Sequence, residues 1–441
     1  MAVSPTGTAR TLLLELYDAA VAAAAPGAAT ARAIDALELG RARRVWLFAI
    51  GKAARPMAAA AFRSLQRGMH SIIGGVVVAP DDGPPPYPTL ASMRGDHPIP
   101  GRHSFEAATK IGEVAAGRRS TDIAIVLISG GASSLIGAPV RGIAESDFVR
   151  LNEILLGSGL DIAGMNSVRK RFSRWSAGRL ALALAPAAIH CLAISDVAGD
   201  EMSVIGSGPC VPDTTTAKEV RERLERAGLF DHVPQAMRDY LGGVAKGTTP
   251  ETPTKSHPAF AHITAHVIGN NRVALDGIAA AAREHGLEGK VMPNRLDGEA
   301  SAAGEAIART LIASRAASST SGIVVWGGET TVTLNAKTGS PAGGGRCQEL
   351  ALAAARVLHD AGSAANGITL LAAGTDGRDG ATDAAGAVVD STTWSVIAAA
   401  GRDPARALAG HESYGALAAA NALIARRDTG TNVNDVVIGF V

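Results

Sequence analysis

The stretch "DIAIVLISGGASSL", residues 122–135, contains an uninterrupted apolar run, residues 123–128, that leads directly into Ser-Gly-Gly. A continuous apolar run of this length predicts a strand buried on both faces, as in a parallel sheet. The two glycines indicate either a tight turn or a loop whose backbone N–H groups close on an anion. The segments "RVWLFAIGK" (44–52) and "AAIHCLAISD" (187–196) have the same form. We therefore expect three such strands in one sheet.

Ala-rich helical segments separate these strands, and strand–helix alternation predicts an open α/β sheet. The expected fold is α/β with two domains: an N-terminal Rossmann-like open sheet with helices on both faces, and a second α/β domain. We place the domains at residues 1–245 and 258–441, because "GGVAKGTTPETPTKSHP" (242–258) is rich in Gly, Thr and Pro without periodicity. On this interpretation "HITAHVIG" (262–269) is the first strand of the second domain, and "ETTVTLNA" (329–336) is a later one.

The composition is that of a globular protein: 441 residues, 47% apolar and 19% charged, with a net charge of +1. No basic or acidic block indicates a nucleic-acid or membrane partner. Three cysteines without metal-ligand spacing are typical of a reducing compartment, so we expect a cytoplasmic protein. The N-terminal "TARTLLLELYDAAVAAAA" reads as an amphipathic helix, since acidic residues interrupt it. The sequence does not decide between a monomer and a homodimer.

Polar and small residues follow the expected strands, where open α/β sheets bind ligands. The candidates in the first domain are Lys52, Ser129, Gly130, Gly131, Ser133 and Asp196. Those in the second domain are Glu329, Gly343, Gly344, Gly345, Arg346 and Asp376. An ordinary turn remains the simpler explanation for each Gly-Gly pair taken alone.

Lys52 and Arg346 each stand where a helix begins, and a cation there opposes the helix dipole. An anionic ligand would relieve that conflict, and the glycines before Arg346 would let the backbone approach it. Asp196 could cap a turn, bind Mg²⁺ or act as a base. Since neither GxxxxGK[ST] nor GxGxxG is present, the pattern favours phosphoryl transfer to a small acidic molecule without a Walker or nicotinamide fingerprint.

Several long motifs taken together resemble the class II glycerate kinases, the glycerate 2-kinase family with a C-terminal MOFRL domain. They are "FAIGKAARPM", "GDHPIPG", "LISGGASSL", "NSVRKRFSRWSAGRLA", "AISDVAGDEMSVIGSGPCVPD", "GGETTVTL", "GGGRCQELALA", "AAGTDGRDGATDAAGA" and "GTNVND". The resemblance covers nearly the whole chain. It implies phosphorylation of D-glycerate at the 2-hydroxyl with ATP and a divalent metal such as Mg²⁺.

The resemblance also implies roles for individual residues. Lys52 and Arg346 correspond to the residues held to be catalytic, and Asp196 lines the same interdomain cleft. The Ser129–Gly131 turn and Ser133 would hold phosphate or the glycerate carboxylate, as would Gly343–Gly345. Mg²⁺ would bind Asp196, with Glu329 or Asp376 as further ligands.

The sequence departs from the family pattern at two places. Cys347 replaces an Asn, and "HESY" (411–414) replaces "NDSY". Two other functions stay open at this point. One is reduction of hydroxypyruvate, a name that some relatives carry, and the other is binding of small acids without catalysis.

Overall fold

The computed structural model describes residues 5–40, 43–317, 320–334 and 343–441. Its helices are α1 Pro5–Ala23, α2 Pro26–Asp35, α3 Ala54–Arg67, α4 Arg102–Ala115, α5 Ala132–Leu135, α6 Glu145–Leu156, α7 Ile162–Phe172, α8 Arg179–Leu184, α9 Ala217–Arg226, α10 Gln235–Ala245, α11 Asn271–Glu284, α12 Ala300–Ala317, α13 Arg346–Asp360, α14 Thr393–Ala399, α15 Pro404–Ala409 and α16 Ser413–Ala419. Its strands are β1 Arg44–Ile50, β2 Ser71–Ala79, β3 Leu90–Arg94, β4 Ile123–Ile128, β5 Ala188–Ile194, β6 Ile263–Gly269, β7 Glu288–Val291, β8 Gly322–Gly328, β9 Thr369–Gly374, β10 Ala384–Asp390, β11 Leu423–Ala425 and β12 Asp435–Phe440.

The chain forms two compact units, which we call the N-terminal unit (residues 26–268) and the C-terminal unit (residues 1–25 with 269–441). The N-terminal unit contains a six-stranded sheet in the order β3-β2-β1-β4-β5-β6. β1 pairs in parallel with β2 and β4, and β4 pairs in parallel with β5. This strand order is one described for open, doubly wound α/β sheets. Every residue of β4 is buried, so both of its faces are covered, as the apolar run predicts.

The C-terminal unit contains a mixed sheet in the order β11-β10-β9-β12-β8-β7. β12 runs antiparallel to both β8 and β9, so its first residue, Asp435, lies opposite Gly328 and Gly374 at the carboxyl ends of those strands. Helices α12 and α13 pack together against this sheet, with Leu311 and Leu358 fully buried in its core. The α/β class and the two-sheet organisation are therefore confirmed.

The division between the units differs from the expected one at residues 242–258. Glu251 forms an ion pair with the buried Arg171, and Thr252 donates to the buried Asp213 at 3.1 Å. These contacts attach the Gly/Thr/Pro-rich segment to the N-terminal unit. The segment expected to open the second domain instead forms β6 beside β5 in the first sheet.

The first helix also lies in a different unit from the one that its position in the sequence suggests. α1 packs on α11 and β9 of the C-terminal unit, with Leu13 and Leu16 fully buried. The Tyr17 hydroxyl donates to the Gly374 carbonyl at 2.7 Å. The strand expected at 329–336 is reduced to a bridge at Thr331, and residues 335 and 336 lie outside the described part of the chain.

Within the described residues, no single helix is long and apolar enough to span a membrane. Helices α1 and α2 meet the length and composition criteria only when they are counted together.

Candidate active-site groups in the two units

The carboxyl ends of β1 and β4 bring Lys52 and the Ser-Gly-Gly turn together. Ile50 and Ile128 are register partners in the parallel pair, so the residues that follow them meet at one edge. The Lys52 N–H donates to the Gly130 carbonyl at 2.9 Å, and the Ala53 N–H donates to Ser129 Oγ at 3.0 Å. The two turns therefore brace each other through hydrogen bonds.

The close approach of these turns requires glycine at position 51. Gly51 has φ +132°, and a Cβ there would lie 2.1 Å from Ser129 Oγ. Among the described residues, the N–H groups of Gly130 and Gly131 have no hydrogen-bond acceptor. The turn thus presents two backbone donors at the sheet edge, which is what an anion cradle requires.

Three side chains surround this turn. Lys52 is exposed, and its Cε would lie 3.5 Å from a Cβ built on Gly131. His97 lies on the same side, and burial together with the Lys52 ammonium lowers the pKa of its ring. Asp196 follows β5, with Oδ2 only 2.5 Å from the position of a Cβ on Gly130. The N-terminal unit therefore gathers Lys52, the turn and Asp196 at one edge.

The Ser133 hydroxyl makes a hydrogen bond within the protein at this edge of the sheet. It shares a 2.7 Å hydrogen bond with the hydroxyl of Ser207. Ser129 Oγ is likewise engaged with Ala53 N–H. Both hydroxyls therefore make hydrogen bonds within the protein, and their predicted role in holding phosphate stays a prediction.

In the C-terminal unit Arg346 is held by two carboxylates. Arg346 Nε and Nη2 donate to the two oxygens of Asp435 at 2.5 and 2.9 Å. Its Nη1 lies 3.0 Å from Glu329 Oε1. Burial raises the pKa of the Asp435 carboxyl to about 6 although Arg346 opposes that shift, and these carboxylates raise the pKa of the guanidinium. At neutral pH both partners are charged, and three of the five N–H groups of Arg346 are engaged.

The first turn of α13 has hydrogen-bond partners within the protein, and a carboxylate of the chain offsets the charge of Arg346 at this helix start. The buried Asp379 carboxylate accepts the N–H groups of Cys347 and Gln348 at 3.1 and 2.8 Å. A Cβ on Gly345 would lie 2.2 Å from Asp379 Cγ, and one on Gly344 would lie 2.1 Å from Ser413 Oγ. Both glycines thus make room for internal side chains.

The "HESY" segment braces the loop before α13. The Tyr414 N–H donates to the Gly343 carbonyl at 2.8 Å, and Ser413 packs on Gly344. His411, which has φ +57°, places Nδ1 2.9 Å from the buried Glu349. Burial raises the pKa of Glu349, and the imidazole opposes that shift.

A cavity of about 400 Å³ opens beside Arg346 within the C-terminal unit. Its walls are Glu329, Thr330, Thr331, Val332, Leu334, Gly344, Gly345, Arg346, Glu349, Gly380 and His411. Grooves of about 460 and 530 Å³ elsewhere are lined mainly by surface residues of α9 and α10 and of α4. Of these three spaces, only the cavity beside Arg346 includes predicted site residues.

The carboxylates differ in their fitness for Mg²⁺. The described residues contain no group of three or more His, Cys, Asp or Glu placed to hold a metal, but Mg²⁺ bound with a nucleotide needs only one or two protein carboxylates. Asp196, partly buried beside Gly130, suits that role. Glu329 suits it less, because Arg346 and the Asn434 amide engage its two oxygens. Asp376 Oδ1 accepts the Arg378 N–H and holds its own turn.

Sequence reasoning missed Asp435 as a member of the site, and it placed Asp379 only among the polar residues that follow a strand, without a role. Both lie in motifs that carry the resemblance, "AAGTDGRDG" and "GTNVND", so the motifs themselves were the available signal. No feature of the sequence around either residue indicates that its side chain contacts the first turn of α13. Their distance from Arg346 along the chain hides the contact.

A strand-end cation, a carboxylate and two backbone amides without an acceptor among the described residues form an arrangement that suits a small anion in an α/β protein. Comparison with known proteins then identifies the family. Residues 12–242 match a domain of unknown function, DUF4147, and residues 322–435 match the MOFRL family. The D-glycerate 2-kinase of Thermotoga maritima is 33% identical, over 98% of each chain. The glycerate 2-kinase of Pyrococcus horikoshii is 35% identical over 90% of this chain and 87% of its own. The chain belongs to the glycerate kinase family with a MOFRL domain.

A solved structure supports the same assignment. The crystal structure of the Thermotoga maritima glycerate kinase superposes with a TM-score of 0.87 at 34% identity, over 98% of this chain and 99% of that one. A relative from Agrobacterium vitis, 35% identical over 97% of this chain and 94% of its own, carries a provisional hydroxypyruvate reductase name.

Proposed function

We propose that this protein transfers the γ-phosphoryl group of ATP to the 2-hydroxyl of D-glycerate. The observation that carries the proposal is the edge of the first sheet. There the Lys52 side chain lies beside the Asp196 carboxylate and two amides that have no acceptor in the part of the chain that the structure describes. A phosphoryl group carries its charge on peripheral oxygens, and a cation with backbone donors stabilises that charge. The family relationship makes glycerate the acceptor that we expect.

In the proposed reaction the bond between the γ-phosphorus and ADP breaks while the glycerate O2–P bond forms. The hydroxyl proton leaves to Asp196 or to solvent. Mg²⁺ held by Asp196 would neutralise phosphate charge when it is bound. Lys52 and the Gly130–Gly131 amides stabilise the transferred group electrostatically.

We further propose that Arg346 acts on the same substrates through the two N–H groups that its carboxylate partners leave. Whether Lys52 and Arg346 act on the same substrates can be tested by comparing the kcat/KM of K52A, R346A and the double variant. Residues that act on one transition state have strongly non-additive effects, whereas independent sites give additive ones. Additive losses would argue against a shared site. All three cysteines are free, which suits the cytoplasmic location that we propose.

The identity of the reaction product distinguishes the proposed kinase activity from its alternatives. Purified protein with D-glycerate, ATP and Mg²⁺ is expected to form 2-phosphoglycerate, identified by ³¹P NMR. Formation of 3-phosphoglycerate, or of no phosphorylated product, would contradict the proposal. Oxidation of NADH with hydroxypyruvate would favour the reductase instead, and saturable acid binding without turnover would favour a binding protein.

The first variant to test is Lys52→Ala. Loss of the ammonium should lower kcat by about 100-fold or more, because its charge matters most in the transition state. Steady-state kinetics with D-glycerate measure this change. Lys110→Ala is the control, since Lys110 pairs with Glu113 on the surface of α4. Near-normal turnover of the Lys52 variant would remove this residue from the mechanism.

A further inference from the structure

The cavity beside Arg346 is too large for the acid substrate alone. Its volume of about 400 Å³ lies in the range of about 300–1,000 Å³ that is typical of pockets for cofactors and drug-sized ligands. A three-carbon hydroxy acid would fill a small part of that space. A purine with its ribose is comparable to it in size.

The walls offer contacts of two kinds. Val332 and Leu334 supply an apolar surface, and Leu334 is 51% exposed although its side chain is large. Thr330, Glu349 and His411 contribute polar groups. A heterocycle that carries a diol requires both kinds of contact.

The charges argue against an anion inside the cavity. Glu329 and Glu349 both line it; Glu329 pairs with Arg346, and Glu349 contacts the His411 ring. Asp379 and Asp435 add two buried carboxyl groups behind Arg346. A phosphate placed here would lie among more acidic than basic side chains, which disfavours an anion but not a neutral nucleoside. Carboxylates also accept hydrogen bonds from ribose hydroxyls.

The His411 ring is held in one orientation. Its Nδ1 contacts the buried Glu349 carboxylate at 2.9 Å, and within the described ranges Nε2 has no partner. One nitrogen is therefore left for a ligand on this wall. His411, the first residue of "HESY", therefore belongs to the cavity wall, so this departure from the family pattern changes the lining of the cavity.

We propose that this cavity binds the nucleoside portion of the phosphoryl donor, with the phosphates leaving it past Arg346. The inference rests on the proposed function for the identity of the donor. It assigns the nucleoside to the C-terminal unit and to residues other than the strand-end groups around Lys52.

Two variants of the full-length protein test it. Val332→Trp places a large side chain in the cavity. Leu334→Asp replaces an apolar side chain of the cavity wall with a charged one. Because Leu334 is exposed, the second substitution should disturb the fold less than the first. We expect each to raise the KM for ATP, and the Kd for ATP measured by calorimetry, by about tenfold or more, with the KM for D-glycerate within about twofold of normal. Adenosine should compete with ATP and not with D-glycerate. Val396→Trp and Val396→Asp on α14, where Val396 is 43% exposed, are the matched controls and should leave all these constants unchanged.

Each contrary outcome is informative. A rise in the KM for D-glycerate alone would assign the cavity to the acid and overturn the inference. Unchanged constants in both variants, or no competition by adenosine, would overturn it as well. Calorimetry does not require turnover. A protein that binds ATP less tightly in these variants but forms no phosphoglycerate would thus overturn the proposed function and support this site.

Discussion

Arg346 is oriented before any substrate arrives, because Asp435 occupies one edge of its guanidinium. A free arginine fork could hold a carboxylate or phosphate through two parallel bonds. Here that edge faces a buried carboxylate of the protein. In the mechanism that we propose, Asp435 is therefore a positioning residue, and Arg346 would contact a ligand through its other N–H groups.

The Asp435→Asn variant tests this role. The pKa of the carboxyl is raised to about 6, so Asp435 is ionised above that pH and neutral below it. The ratio of wild-type to variant kcat/KM should be about tenfold or more at neutral pH and fall as the pH drops through about 6, since protonation removes the charge that the variant lacks. Titration of the substrates cancels in this ratio. A ratio independent of pH would contradict the role.

Cys347 is one of the two places at which the sequence departs from the family pattern that the motifs resemble. The side chain is buried, and burial together with the negative charges of Asp435 and Asp379 raises the pKa of the thiol. The thiol therefore lies beside protein carboxyl groups, one of which holds Arg346.

Cys347→Asn should leave the KM for both substrates within about twofold, because the side chain at this position is buried among protein groups. Steady-state kinetics report this directly. Cys347→Val is the comparison, since it keeps a small apolar side chain at the buried position, and it should likewise leave both KM values within about twofold. A large fall in KM for Cys347→Asn at constant kcat would mean that the amide contacts the ligand.

At the scale of elements, the start of α13 depends on a carboxylate from a distant loop. Asp379 bonds to two N–H groups of the first turn and packs against Gly345. This arrangement caps the helix without a local Ser, Thr or Asp.

Gly345→Ala should therefore destabilise the protein by about 2 kcal/mol or more, because the new methyl group would overlap the Asp379 carboxylate. Urea unfolding measures the change. Gly343→Ala is the matched control in the same loop, where the nearest atom to a new Cβ is 3.7 Å away. Equal stability of the two variants would show that Asp379 moves aside freely.

At the scale of the molecule, the C-terminal unit is discontinuous in sequence. α1 contributes fully buried side chains, including Leu13, Leu16 and Ala20, and Thr431 Oγ1 donates to the Ala24 carbonyl at 2.8 Å. The C-terminal unit is incomplete without these first 25 residues.

Deletion of residues 1–25 should expose residues 269–441 to limited proteolysis while residues 26–268 stay protected. Loss of each buried leucine alone costs about 2–5 kcal/mol. A peptide of residues 1–25 added in excess should restore protection, and a scrambled peptide should not. Unchanged protection of the deleted protein would show that α1 is dispensable.

The local hydrophobic pattern of the sequence was enough to predict the central strands of the first sheet and the residues that follow them. The apolar runs at 44–50, 123–128 and 188–194 are strands, and the polar residues after them meet at one edge. A buried parallel strand has a strong local signature, and its carboxyl end has a known use. Lys52, the Ser129–Gly131 turn and Asp196 could be located for that reason.

Long-range contacts decided the rest. The pairing of Arg346 with Asp435, the capping of α13 by Asp379 and the packing of α1 on α11 join residues from about 30 to 260 positions apart. An apolar helix face shows that a partner exists but not which sheet supplies it. Sequence alone therefore determined which residues stand at the strand ends. Tertiary structure decided their partners and charges, because burial and ion pairing depend on neighbours that only folding brings together.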